Sequence, residues 1–198
     1  DSCAGADSTG LLDISGSRWS EELLRFLELP ASKLFALFTA GHPVGVINEV
    51  AERSTGLRRG TPVFAGGGDG QVFAIGVGAV GPSDMAVTLG TSGVCAVHGE
   101  EIDGTGRCRT MTACVPRSYL YESVILSAAD SVSWFVRTFD CEGSQGSAER
   151  RLEAAIENVP ACCDGLLTIP YIRGCMMPYD DPNTRGATLG WSDNHTKA

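Results

Sequence analysis

The chain has 198 residues, 15 Lys and Arg against 24 Asp and Glu for a formal charge of −9, and 43% hydrophobic with 20% charged residues. The acidic balance argues against a binder of nucleic acid or of anionic membranes, because attraction to phosphate needs clustered positive charge; the composition is that of a folded globular protein. The length admits one domain or two small ones. No apolar run approaches the roughly 18 residues that span a bilayer, and the opening segment has neither the basic nor the apolar part of a signal peptide. The chain therefore reads as soluble and unexported. It starts without Met and stops at His195-Thr-Lys-Ala198, which reads as a piece of something longer.

The cysteines, at 3, 95, 108, 114, 141, 162, 163 and 175, are scattered, with no C-x-x-C pair. His42, His98 and His195 do not stand at zinc-ligand spacing from a cysteine pair. Reduced cysteines that serve packing are expected, and with them a cytoplasmic setting.

In chain order, Trp19, Leu23, Leu24 and Leu27 recur at helical spacing behind Ser20, a capping residue, and Pro30 ends the run, so a helix is predicted over about 20–28. Val46, Ile47, Val50 and Ala51 form a second helical stripe, stopped by Gly56. Val63-Phe64-Ala65 is a short strand that runs into Gly66-Gly67-Gly68-Asp69 and a helical stretch over 71–80. Gly81-Pro82-Ser83-Asp84 is the predicted domain boundary. Strands follow at 85–89, 94–97, 110–115 and 119–126, joined by turns that imply an antiparallel meander. Val132, Phe135, Val136 and Phe139 then mark one helix, Leu152, Ala155, Ile156 and Val159 another, and 165–170 returns to strand. The order β-β-β-β-α-α-β suits an antiparallel-then-wound α/β domain.

Five segments are candidates for function. Gly76, Gly78 and Gly81 fit G-x-G-x-x-G, with Glu100 and Glu101 downstream, as a nicotinamide-dependent oxidoreductase would have it. They are followed by Pro82 and a strand, whereas a dinucleotide site needs them to leave a strand and open a helix; close helix packing is the better account. Gly66–Asp69 brings a carboxylate to a helix start, where it serves either as a helix cap or as a general base or metal ligand. Gly90-Thr91-Ser92-Gly93 is either a plain hairpin turn or a concave set of amides and hydroxyls for a phosphate. Ser127–Ser131 precedes a helix, as cap or phosphate site, and Gly174–Gly186 is a long loop rich in turn formers.

Three blocks, TPVFAGGGDGQVFAIGVGAV, DMAVTLGTSGV and GLLTIPYIRGCMMPYDDPNTRGATLGWSDNHTKA, taken in order and spacing, resemble the FGGY carbohydrate kinases, most closely their xylulokinase-like members. RWSEELLRFLEL near the start is similar to a helix of the same family. The resemblance implies an α/β, ribonuclease-H-like, actin-like ATPase fold in parts of two domains, with 1–81 ending the sugar domain and 82–198 opening the nucleotide domain. It implies phosphorylation of a sugar hydroxyl by ATP with Mg²⁺, the sugar being D-xylulose or a related ketose. Asp69 would be the general base and a metal ligand, and would meet the sugar together with Gly68. Gly90, Thr91 and Ser92 would contact the ATP phosphates, as would Ala129 and Ser133, placed by counting back from Trp134. The family's G-E-R-x-P loop reads Gly174-Cys-Met-Met-Pro178 here, and its D-x-G-T-x-x-x-K block is absent. A remnant that keeps the fold as a non-catalytic binding module is the alternative. No nucleic-acid or membrane partner is expected, and homo-oligomerisation stays open.

Overall fold

The structure, a computed structural model, describes residues 1–139, 145–157 and 159–195. Cys141 and the last three residues of the third block lie outside them. The chain divides into two units, residues 1–86 with 96–122, and residues 87–95 with 123–198.

The first unit opens with α1 (Cys3–Ala6), capped by Ser2, whose Oγ accepts from the Gly5 amide at 2.8 Å. β1 (Leu12–Asp13) and β2 (Arg18–Trp19) pair antiparallel. α2 (Glu21–Phe26) begins at the predicted cap, where the Ser20 hydroxyl accepts from the Leu23 amide. β3 (Pro43–Val46) pairs antiparallel with β4 (Pro62–Phe64), and α3 (Glu49–Thr55) lies between them in sequence. The stripe from Val46 to Ala51 is therefore not one helix. Asn48 interrupts it, its Oδ1 accepting from the Ala51 amide at 2.8 Å, so that Val46 stays in a strand and the helix starts afresh.

α4 (Asp69–Gly76) follows the glycine turn and ends short of the predicted Val80. Gly78 adopts φ 78°, its amide bonds the Ile75 carbonyl at 2.9 Å, and the Ala79 amide bonds Ala74 at 2.9 Å. This pair of bonds closes a helix on a left-handed glycine. A Cβ at Gly76 or Gly78 would meet nothing within 4 Å, so close packing does not explain these glycines, and turn conformation explains Gly78. The core of this unit is built from small side chains, Ala74, Ala79, Ala86, Ala96 and Ala113, around Met111 and the fully buried Leu120, with Phe73 against it.

β5 (Met85–Leu89), β6 (Gly93–Gly99), β7 (Arg109–Thr112) and β8 (Tyr119–Ile125) form a sheet in the order β5-β6-β8-β7. The strands lie where predicted, yet they are no meander. β8 carries Leu120 and takes the interior position, while the four-residue β7, with exposed Arg109, pairs with it antiparallel and closes the edge. Short, charged strands suit an edge.

In the second unit, α5 (Ala129–Phe139) turns Val136 inward and packs against α6 (Gln145–Ile156). The Phe135 and Phe139 rings lie 5.0 Å apart between centroids, and Trp134 meets Phe139 edge-on at 5.8 Å. Val159, predicted on the second helix, falls beyond its end and before Pro160. β9 (Leu167–Ile169) pairs antiparallel with β10 (Ala187–Leu189).

Candidate functional site

Asp69 is the first residue of α4 and is exposed, and its Oδ1 accepts from the Gly70 amide at 2.9 Å. The glycines before it differ in purpose. A side chain on Gly67 would collide with the Cys114 sulfur, and one on Gly68 with Oε1 of Gln71. Both are bare because neighbouring side chains occupy the room a Cβ would need. Gly66 and Gly70, by contrast, have no atom within 4 Å of an added Cβ, and there the backbone is open. Burial pushes the Cys114 thiol above its ordinary pKa, which keeps it neutral and packed. Gln71, two residues past Asp69, is only 3% exposed, and its Nε2 donates to the Ala4 carbonyl at 3.0 Å.

In the other unit, the turn at Gly90, Thr91 and Ser92 is fastened to the start of α5. The Gly90 amide bonds Ser92 O at 3.0 Å, while the Ala129 amide bonds Gly90 O at 3.0 Å and the Ala128 amide bonds Thr91 O at 2.8 Å. The structure thus brings together Gly90, Thr91, Ser92 and Ala129, four of the residues the sequence nominated for phosphate. The Ala129 N–H is spent on the Gly90 carbonyl, which fastens the turn to the start of α5. Ser133 lies one helical turn further on, its Oγ 3.3 Å from Glu149 Oε1 on α6. A cavity of about 270 Å³ opens beside the turn, lined by Leu89, Gly93, Cys95, Ser127, Ala128 and Pro170 among others. Ser127 is buried there, and among the described residues its Oγ has no hydrogen-bond partner. Asp130, in the first turn of α5, pairs with Arg173 at 2.7 Å.

The Gly174–Gly186 loop is ordered from within. The Cys175 amide bonds Asp181 O at 3.0 Å, and the Asp181 carboxylate accepts from the Asn183 amide at 2.8 Å and from Thr184 Oγ1 at 2.9 Å. These bonds, the Asn183 amide first, hold the Asp181 carboxyl below its usual range.

Gly76 and Gly78 sit at the C-terminal end of a helix, where carbonyls rather than amides point outward, and this excludes the dinucleotide reading. Among the described residues no three His, Cys, Asp or Glu side chains cluster as a metal site, and no helix is long and apolar enough to cross a membrane. The seven described cysteines are free. Gln71 and Arg173 were given no role in the reading of the sequence, whereas Ser127 and Asp130 stood within the Ser127–Ser131 segment named there.

A xylulose kinase of Lactococcus lactis is 32% identical over 192 residues, which are 96% of this chain and 37% of that protein. An autoinducer-2 kinase of Klebsiella pneumoniae is 31% identical over 175 residues, 84% of this chain and 33% of that protein. The crystal structure of a xylulose kinase from Rhodospirillum rubrum superposes with a TM-score of 0.86 at 25% identity, covering 98% of this chain and 39% of that one. The chain spans less than two fifths of the length of each of these relatives. Its fold is the α/β, ribonuclease-H-like, actin-like fold that these kinases share. Residues 2–76 match the N-terminal domain and residues 85–198 the C-terminal domain of one family, and the chain belongs to it: the FGGY family of carbohydrate kinases.

Proposed function

We propose that these residues form part of an ATP-dependent kinase that phosphorylates a hydroxyl of D-xylulose or a related ketose. Residues 1–81 would contribute to its sugar domain and 82–198 to its nucleotide domain. The relatives named xylulose kinase support the substrate class, and the gap between the matched segments, after 76 and before 85, supports the division.

One observation carries the reading: an exposed carboxylate, Asp69, heads a helix whose glycine turn is locked by packing underneath it. A base so held takes the proton of the attacking sugar hydroxyl, with Gly68 beside it, while the hydrogen-bonded turn at Gly90, Thr91 and Ser92, backed by Ala129 and Ser133, meets the phosphates of ATP. Phosphoryl transfer asks a protein chiefly for such positioning and for charge stabilisation. Mg²⁺ fits this donor set as an ion borne by the nucleotide, since it commonly takes one or two carboxylates and otherwise phosphate and water oxygens. Asp69 supplies the one carboxylate, and the ion would neutralise charge on the transferred group. The free cysteines favour the cytoplasm, where thiols stay reduced.

In the full-length enzyme carrying this chain, Asp69→Asn is expected to leave nucleotide binding intact and to lower kcat by roughly 10²–10⁴, the usual loss for a general base. ADP release measured across pentuloses checks it, and turnover near the wild-type rate would remove the assignment.

A further inference from the structure

We infer that Gln71 is the positioning residue for Asp69, anchoring the first turn of α4 to α1 so that the carboxylate faces outward. The inference rests on the kinase reading above. Side chains two positions apart on a helix point about 200° away from each other. A Gln71 held inward therefore turns Asp69 outward, and the two orientations are one degree of freedom.

The hold is specific. Gln71 is 3% exposed, and its Nε2 donates at 3.0 Å to the Ala4 carbonyl, 67 residues away in sequence. Its Oε1 lies over Gly68, in the space that any side chain there would need. The anchor point is itself fastened. Ala4 is buried, the Cys3 amide bonds Phe38 O at 2.8 Å, and the Asp7 carboxylate accepts from the Thr112 amide of β7 at 2.8 Å. Gly67 rests against Cys114 on the same side. Removing the glutamine amide leaves the Ala4 carbonyl buried and without that donor, whereas an apolar side chain of similar length fills the space with no directional bond. The helix start would then be free to rotate by a fraction of a turn. Displacements of about 1 Å at a reacting group cost up to 10²-fold in rate.

The test uses the full-length enzyme with three variants measured together, Asp69→Asn, Gln71→Met and Gln71→Glu. Gln71→Met is expected to lower kcat by roughly 10- to 100-fold with KM for ATP unchanged. Gln71→Glu keeps shape and acceptor but loses the donor when ionised; protonated, it regains an O–H for the Ala4 carbonyl, and burial favours that form. The ratio of its kcat to the wild-type value should therefore rise as pH falls from about 8 to about 6, a change that a merely structural role would not produce. A kcat for Gln71→Met within twofold of wild type, or a flat pH ratio for Gln71→Glu, overturns the inference. Should Gln71→Met fail to fold, the pH ratio, read within one folded variant, decides alone. Loss with Asp69→Asn but none at Gln71 defeats only this inference; no loss with Asp69→Asn defeats the kinase reading beneath it.

Discussion

At the scale of single residues, the turn before Asp69 shows how a glycine run divides its labour. Gly67 and Gly68 are small because Cys114 and Gln71 occupy the room a side chain would take, while Gly66 and Gly70 face open space. Runs of this kind suggest ligand approach, and only the neighbours reveal which glycines are bare for the protein's own sake. Gly67→Ala is expected to cost about 1–3 kcal/mol through overpacking. Combining it with Cys114→Ala, which vacates the contested volume, should cost less than the sum of the two single changes. Denaturant midpoints of the four proteins, each carried in the full-length enzyme, measure that coupling, and strict additivity would show that the two side chains do not compete.

Elements show a different division. α2 and α3 start where a side chain can accept a backbone amide, at Ser20 and Asn48, and α4 stops where a glycine turns left-handed. Such signals are local, and Ser20 was legible as a cap; Asn48 was equally visible but was hidden beneath the apolar stripe that ran through it. Asn48→Ala removes the acceptor of the Ala51 amide and is expected to destabilise the chain by about 1 kcal/mol. Asn48→Ser should restore most of the loss, and thermal melts of the two variants in the full-length enzyme separate a cap from an incidental contact. The sheet went the other way. Its strands were readable from alternation and turns, but their order was not, because alternation marks a strand without saying which neighbours it pairs with, and β8 rather than β7 lies beside β6.

At the scale of the whole chain, many apolar side chains lie bare. Phe26 is 82% exposed, Phe35 76% and Val50 67%, and Leu27, just past α2, and Val46 on β3 are exposed too, whereas Leu24 of the same stripe as Leu27 is buried. The chain also spans less than two fifths of its curated relatives. Exposed apolar surface on this scale favours association. The isolated chain is expected to self-associate at micromolar concentration and to bind a hydrophobic dye strongly; sedimentation showing a monomer with a sharp, cooperative melt would contradict this.

Caps, glycine turns and strand alternation marked an α/β chain and singled out Asp69 and the Gly90–Ser92 turn, because each is written within a few neighbouring residues, while the likeness of three sequence blocks pointed to the FGGY kinases. What lies far apart in sequence needed the fold: Gln71 against Ala4, Cys114 under Gly67, the Ala129 amide spent on Gly90, and β8 between β6 and β7. The reason is physical. Hydrogen bonds within a turn are dictated by local backbone geometry, whereas contacts across tens of residues form only where the core leaves a buried polar group one available partner.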